Sequence, residues 1–153
     1  MRIEKRCVLP FPAENVWSGL LNAEFVGTCM PGVEKVERVD DSNFVVSITV
    51  KVGVIKPTFR LNIAFVEQVR PRYLRTTCAG EANGMMGSLR GTTQIRLTSL
   101  GSAGTQVDVE ADGDVFGRLG TFGYSVLKGK ADQIWGDFVA NLTVAMTEQV
   151  AGA

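Results

Sequence analysis

Thr105-Gln106-Val107-Asp108-Val109-Glu110-Ala111 alternates apolar side chains with polar ones, and beyond Gly113 the pattern changes. From there Leu119, Phe122, Val126, Leu127, Ala131, Ile134, Trp135, Phe138, Leu142, Ala145 and Met146 recur at helical intervals. A period of two sends successive side chains to opposite faces of a strand, whereas a period near 3.6 gathers them on one stripe of a helix. The join therefore reads as the last strand of a sheet followed by a long C-terminal helix. Lys128, Lys130, Asp132, Asp137 and Glu148 fall mostly off the stripe. A helix of about 30 residues is roughly 45 Å long, enough to cross a whole sheet. Gly117, Gly120 and Gly123 crowd its entry. Glycine costs up to about 1 kcal/mol in a helix interior relative to alanine, so a loose or kinked entry is expected. Asp112 and Asp114 are read as carboxylates at the foot of this helix, facing its dipole.

Upstream, the same alternation repeats. Phe44, Val46, Ile48, Val50 and Val52 share one strand face, and Phe59, Leu61, Ile63 and Phe65 share another. Tyr73 to Ala79 and Met86 to Leu97 supply two more strands, and a further one begins at Val33. The short connections Asp40-Asp41-Ser42-Asn43 and Gly101-Ser102-Ala103-Gly104 make their flanking strands antiparallel neighbours. At the start, Ile3, Cys7 and Leu9 alternate with Arg2, Glu4 and Arg6 in a first strand that Pro10 and Pro12 end. Val16, Trp17, Leu20 and Leu21 then take helical spacing, and Ala23 to Val26 forms a second short helical piece before the Pro31-Gly32 turn. The predicted class is α+β: a curved antiparallel sheet of about seven strands, two short helices after the first, and a long C-terminal helix. One domain over residues 1–153 is expected. A sheet buries its inner face only against another element, and the long helix is the only one large enough. A strongly curved sheet does not fill the space beneath one helix, so a cavity is expected there.

Composition excludes several functions. Sixteen basic residues balance sixteen acidic ones, leaving no broad attraction for a nucleic-acid backbone. Histidine is absent, which removes the commonest general base and metal ligand. Cys7, Cys29 and Cys78 are widely spaced and read as reduced thiols packed as small apolar groups, pointing to the cytoplasm. The charged N-terminus lacks a signal peptide's apolar core, and no stretch approaches the roughly 20 apolar residues of a membrane-spanning helix. No Walker loop, dinucleotide fingerprint or Gly-x-Ser-x-Gly elbow occurs. The glycines between Gly80 and Gly87 lie between strands and read as a hairpin. No cofactor or metal is expected.

Several stretches carry a family resemblance. They are Phe25 to Val36 with Cys29-Met30-Pro31-Gly32-Val33-Glu34 at its centre, Val50-Lys51-Val52-Gly53 with Lys56, Gly84 to Gly91 with Thr105, and Gly117-Arg118-Leu119-Gly120. Together they resemble the carbon monoxide dehydrogenase G-subunit family, within the birch-allergen and START-like superfamily of helix-grip folds. The resemblance covers nearly the whole chain. It implies a cavity between sheet and C-terminal helix that holds a lipophilic small molecule such as a lipid or quinone. It also implies an accessory role beside a molybdenum-containing carbon monoxide dehydrogenase or related hydroxylase, in maturation, membrane recruitment or quinone delivery. Some members carry a C-terminal extension suited to a membrane tether. This sequence ends at Ala153 and no anchor is expected, though peripheral contact at the inner membrane face stays open.

The expected cavity wall comprises Trp17, Met30, Val50, Phe59, Leu61, Ile63, Met86, Leu89, Phe122, Ile134, Trp135 and Phe138, with core packing as the alternative for each. Met85 is read beside Met86 as a further adaptable wall or gap filler. Gly117, Gly120 and Gly123 are the expected hinge at the cavity entrance. Two rival readings remain. An enzyme would need an ionisable group in the cavity, for which Tyr124 and Glu81 are the candidates. A pure recruitment module would fill the cavity with its own side chains.

Overall fold

Proline and strand parity set the first elements. The computed structural model describes residues 1–151, apart from the side chain of Met85, whose expected place on the wall lies outside the described residues. Strand β1 (Arg2–Leu9) turns Ile3, Lys5, Cys7 and Leu9 to one face and stops before Pro10. Helix α1 (Ala13–Leu21) follows Pro12, and α2 (Ala23–Cys29) is capped by Asn22, whose side chain accepts the Phe25 N–H at 3.1 Å. The Pro31-Gly32 turn then leads into the sheet. Gly32 takes a positive φ, and a Cβ there would sit 2.2 Å from the Thr49 carbonyl oxygen, so only glycine fits.

Six strands follow in a continuous meander: β2 (Val33–Arg38), β3 (Asn43–Thr49), β4 (Thr58–Val69), β5 (Tyr73–Ala82), β6 (Ser88–Ser99) and β7 (Thr105–Phe116). All pairs are antiparallel, in the order β1-β7-β6-β5-β4-β3-β2. Helix α3 (Tyr124–Ala151) is 28 residues long. The expected α+β architecture, two short helices after the first strand and a long helix held by a seven-stranded curved sheet, is the observed one.

Several boundaries differ from the sequence reading, three of them for a clear local reason. Strand β3 ends at Thr49 because its partner at the next position is Pro57, which has no N–H to donate; Val50 N–H still reaches the Pro57 carbonyl at 3.0 Å. Met86 lies in the turn before β6, closing a 3₁₀ turn over Asn83–Met85. Strand β7 continues past Ala111 to Phe116, because Gly113 holds an inward position without interrupting the alternation. Asp112 and Asp114 are therefore strand residues on the outer face, opposite Thr92 and Arg90, and not carboxylates at the helix foot.

Gly113 has a second role. In the register it stands opposite Gly91, which stands opposite Cys78, which stands opposite Ile63. This row of small side chains crosses the inner face, with Gly80 one row away. A Cβ at Gly91 would meet the Asp112 carbonyl oxygen at 2.7 Å, and one at Gly80 the Arg60 carbonyl at 2.0 Å. At these positions the strands approach too closely for a side chain, which is why glycine stands there.

The apolar interior forms two clusters. One gathers Leu9, Val16, Trp17, Leu74, Leu97 and Met146 under α1, α2 and the C-terminal half of α3. The other gathers Val52, Ile55, Phe59, Leu61 and Leu119 under the connection from β7 to α3. Asn141 of α3 donates to the Cys29 carbonyl at 2.9 Å, tying the long helix to α2.

Candidate ligand site

Between the sheet and the middle of α3 lies a cavity of about 410 Å³. Ile3, Cys7, Phe65, Val109 and Ala111 face it from the strands; Ala131, Ile134, Trp135 and Phe138 face it from α3. Leu20, Val26 and Met30 close the end under α1 and α2. Pockets of roughly 300–1,000 Å³ with a mostly apolar lining are typical of small-molecule sites. Only three polar side chains occur in this lining: Lys5, Thr76 and Thr93. A larger depression of about 840 Å³ lies on the opposite face of the sheet, among Ser47, Arg60, Asn62, Glu81, Ser88 and Arg90. It is shallow and of mixed polarity, so it encloses an apolar ligand less well than the cavity does.

Lys5 and α3 meet at the cavity margin. The Lys5 ammonium pairs with the Asp132 carboxylate, which also accepts from Lys128 at 3.2 Å. Hydrogen bonds from Lys5 first, and Lys128 second, hold the Asp132 carboxyl below the usual carboxylate range. The lysine side chain is 18% exposed, so its stem runs along apolar surface while its charge reaches the helix.

Two thiols are chemically quiet. Burial pushes the Cys7 thiol up to about 11, with the negative charge of Asp108 adding to the effect. Burial alone pushes Cys78 up to about 11. Both are protonated near neutrality and are poor nucleophiles. The enzyme candidates lie elsewhere. Glu81 is on the outer face opposite Ser88, and Tyr124 is 52% exposed at the start of α3 with its hydroxyl directed at the Arg2 carbonyl, 3.5 Å away.

Of the residues expected on the wall, Met30, Ile63, Ile134, Trp135 and Phe138 face the cavity. Trp17 is 2% exposed in the packed cluster behind it. Val50, Phe59, Leu61, Leu89 and Phe122 belong to the second cluster, and Met86 sits in its turn. Periodicity tells inward from outward, but it does not say which inward residues meet the cavity and which meet the second cluster. Lys5, Thr76 and Thr93 line the cavity without belonging to the expected wall. Parity is the signal that points to them: Lys5 shares its face with Ile3 and Cys7, Thr76 with Leu74, and Thr93 with Ile95.

Gly117, Gly120 and Gly123 lie in the connection from β7 to α3, around the 3₁₀ turn Leu119–Phe122. A Cβ at Gly117 would come within 2.8 Å of Gly87, and one at Gly120 within 2.6 Å of the Val115 carbonyl, whereas Gly123 has open space.

The family model for the G subunit of carbon monoxide dehydrogenase (CoxG) matches residues 9–147. The chain belongs to this family. Its resemblances in sequence thus extend through α1, the whole meander and most of α3. No curated protein matches the sequence. Among solved structures, a conserved protein from Geobacillus kaustophilus superposes with a TM-score of 0.89 at 19% identity, covering 97% of this chain and 96% of the other. A START superfamily protein from Mycobacterium smegmatis gives 0.70 at 12% identity, covering 97% and 98%. A Thermus thermophilus protein gives 0.72 at 12% identity, covering 97% and 99%. This CoxG family member therefore has a START-like fold. Among its described residues no helix is long and apolar enough to cross a membrane.

Proposed function

We propose that this protein binds a hydrophobic small molecule, a lipid or quinone, between its sheet and α3 without transforming it. The observation that carries the reading is the cavity of about 410 Å³ whose lining is apolar apart from Lys5, Thr76 and Thr93. Transfer of apolar area at about 25 cal/mol per Å² supplies most of the affinity. Acid-base work needs a carboxylate, histidine or activated nucleophile within reach of the ligand. The lining holds neither of the first two, its one amine, Lys5, is paired with Asp132, and the Cys7 thiol is protonated. Membership of the CoxG family supports an accessory role, carrying its cargo beside a molybdenum-containing carbon monoxide dehydrogenase or related hydroxylase. The free thiols fit a reducing cytoplasm, with peripheral contact at the inner membrane face as the place of exchange.

The test is extraction of natively purified protein with organic solvent, followed by mass spectrometry. One lipid or quinone per chain is the expected result. Quenching of Trp135 by added quinone, with Trp17 as the second fluorophore, gives a parallel readout. An empty extract together with no quenching and no thermal stabilisation by lipids or quinones would replace the carrier with a recruitment module.

A further inference from the structure

Thr76 and Thr93 are direct cross-strand partners on β5 and β6, on the inner face of the sheet. Both line the cavity, and their row continues through Phe65 on one side and Ala111 and Ile3 on the other. Neither hydroxyl has a hydrogen-bond partner among the described residues, while the other threonine of the inner face, Thr105, is fully buried and donates to the Phe11 carbonyl at 2.7 Å. No side-chain polar atom among the described residues is both buried and unsatisfied, so the two hydroxyls open onto the cavity space. A hydroxyl in apolar surroundings costs free energy unless something bonds it. Valine has nearly the same shape, suits a strand at least as well, and would remove that cost. Paired hydroxyls at the centre of an apolar wall are thus a polar contact without a protein partner.

Charge narrows what that contact receives. Lys5 is the only charged side chain in the lining and is already neutralised by Asp132. It lies on β1, two strands from Thr93, which at about 4.8 Å per strand puts roughly 10 Å of sheet between them. An ionised head group at the threonine pair would lose its hydration with no free cation beside it. A neutral oxygen, by contrast, meets one hydroxyl able to donate and another able to donate or accept.

We propose that Thr76 and Thr93 form the head-group subsite of the cavity, and that it takes an uncharged hydrophobic ligand through a carbonyl or hydroxyl oxygen, head inward. This rests on the carrier reading above and names the ligand class for the same cavity. Carboxylate-headed lipids are then poor ligands of the cavity.

The experiment compares four probes of one chain length, a long-chain ketone, alcohol, alkane and carboxylate, binding to the wild-type chain and to the T76V/T93V double variant. Circular dichroism and thermal unfolding check that the variant is folded; single variants T76V and T93V serve if the double variant is not. Wild type is expected to bind ketone and alcohol more tightly than alkane, and carboxylate least. The double variant loses roughly 10- to 30-fold in affinity for ketone and alcohol, two neutral hydrogen bonds' worth, and keeps its affinity for alkane. Equal losses for every probe, or none, would overturn the subsite. So would tight carboxylate binding that Lys5→Met abolishes. If alkane and ketone alike fail to bind the wild type, the carrier reading itself falls.

Discussion

The two halves of α3 meet the sheet differently. In the C-terminal half, Leu142 and Met146 are buried with Trp17 and Cys29, and Asn141 is bonded to the Cys29 carbonyl. In the N-terminal half, Tyr124 and Val126 are 52% and 46% exposed, and the cavity lies beneath Ala131 and Ile134. One helix thus carries a structural anchor at one end and a cavity roof at the other. The contrast teaches that stability and binding should be separable by substitution. The anchor should answer to denaturant, and the roof to ligand.

The largest expected effect is in the anchor. Trp17→Ala removes a 2%-exposed side chain from the packed cluster and should cost about 3–5 kcal/mol, read as a lower midpoint in urea unfolding. A cost below about 1 kcal/mol would mean that the region behind the cavity is itself loosely filled, and the comparison would fail.

A second effect spans both regions and depends on pH. Cys7 faces the cavity and Cys78 packs against the second cluster, and burial raises each thiol from 9.0 to about 11. Between those values the unfolded chain has lost a thiol proton that the folded chain keeps. The folded state binds more protons there, so stability falls as pH rises from about 9 towards 11. Below pH 9 this contribution is fully present and flat. The Cys7→Ala/Cys78→Ala variant should show a shallower decline over that window. An identical decline would place both thiols in contact with water.

These regions are unequally legible in the sequence. Strand alternation and the helical stripe after Gly113 are enough for the order of elements, because each face meets only one environment. The anchor can be read for the same reason: Trp17 and Met146 are apolar at helical spacing and simply buried. The cavity wall is harder to read. Phe59 and Leu61 share strand β4 and its inner face with Ile63, yet Ile63 reaches the cavity while the other two are buried in the second cluster. Which inward residues meet a cavity and which meet a packed cluster leaves no mark in an apolar period. Lys5 is hidden in a different way. A charge in an otherwise apolar set reads as an interruption, whereas its long stem carries the charge out to Asp132.

The roof offers a smaller effect on stability and a sharper one on binding. Ala131→Leu adds three carbons where α3 faces open space rather than packed side chains. Filling a void avoids the strain of overpacking, so the unfolding midpoint should change by less than about 1 kcal/mol in either direction. Binding of a hydrophobic probe should fall at least tenfold, measured by Trp135 quenching. A strongly destabilised Ala131→Leu would show that α3 is seated on the sheet there.

The smallest expected effect joins the two halves. Gly136 is an exposed position in the interior of α3, between the roof at Ala131 and the anchor at Leu142, and a Cβ there would meet nothing within 4 Å. Glycine in a helix interior costs backbone entropy that alanine does not, so Gly136→Ala should stabilise the protein by about 0.5–1 kcal/mol. The same change stiffens the helix between its anchored half and the half that roofs the cavity. If the ligand enters by movement of that roof, hydrogen exchange at residues 124–131 should slow in Gly136→Ala, and ligand release should slow with it. Entry through the glycine connection predicts otherwise: exchange at residues 117–123 governs release, and Gly136→Ala raises stability while leaving the release rate unchanged.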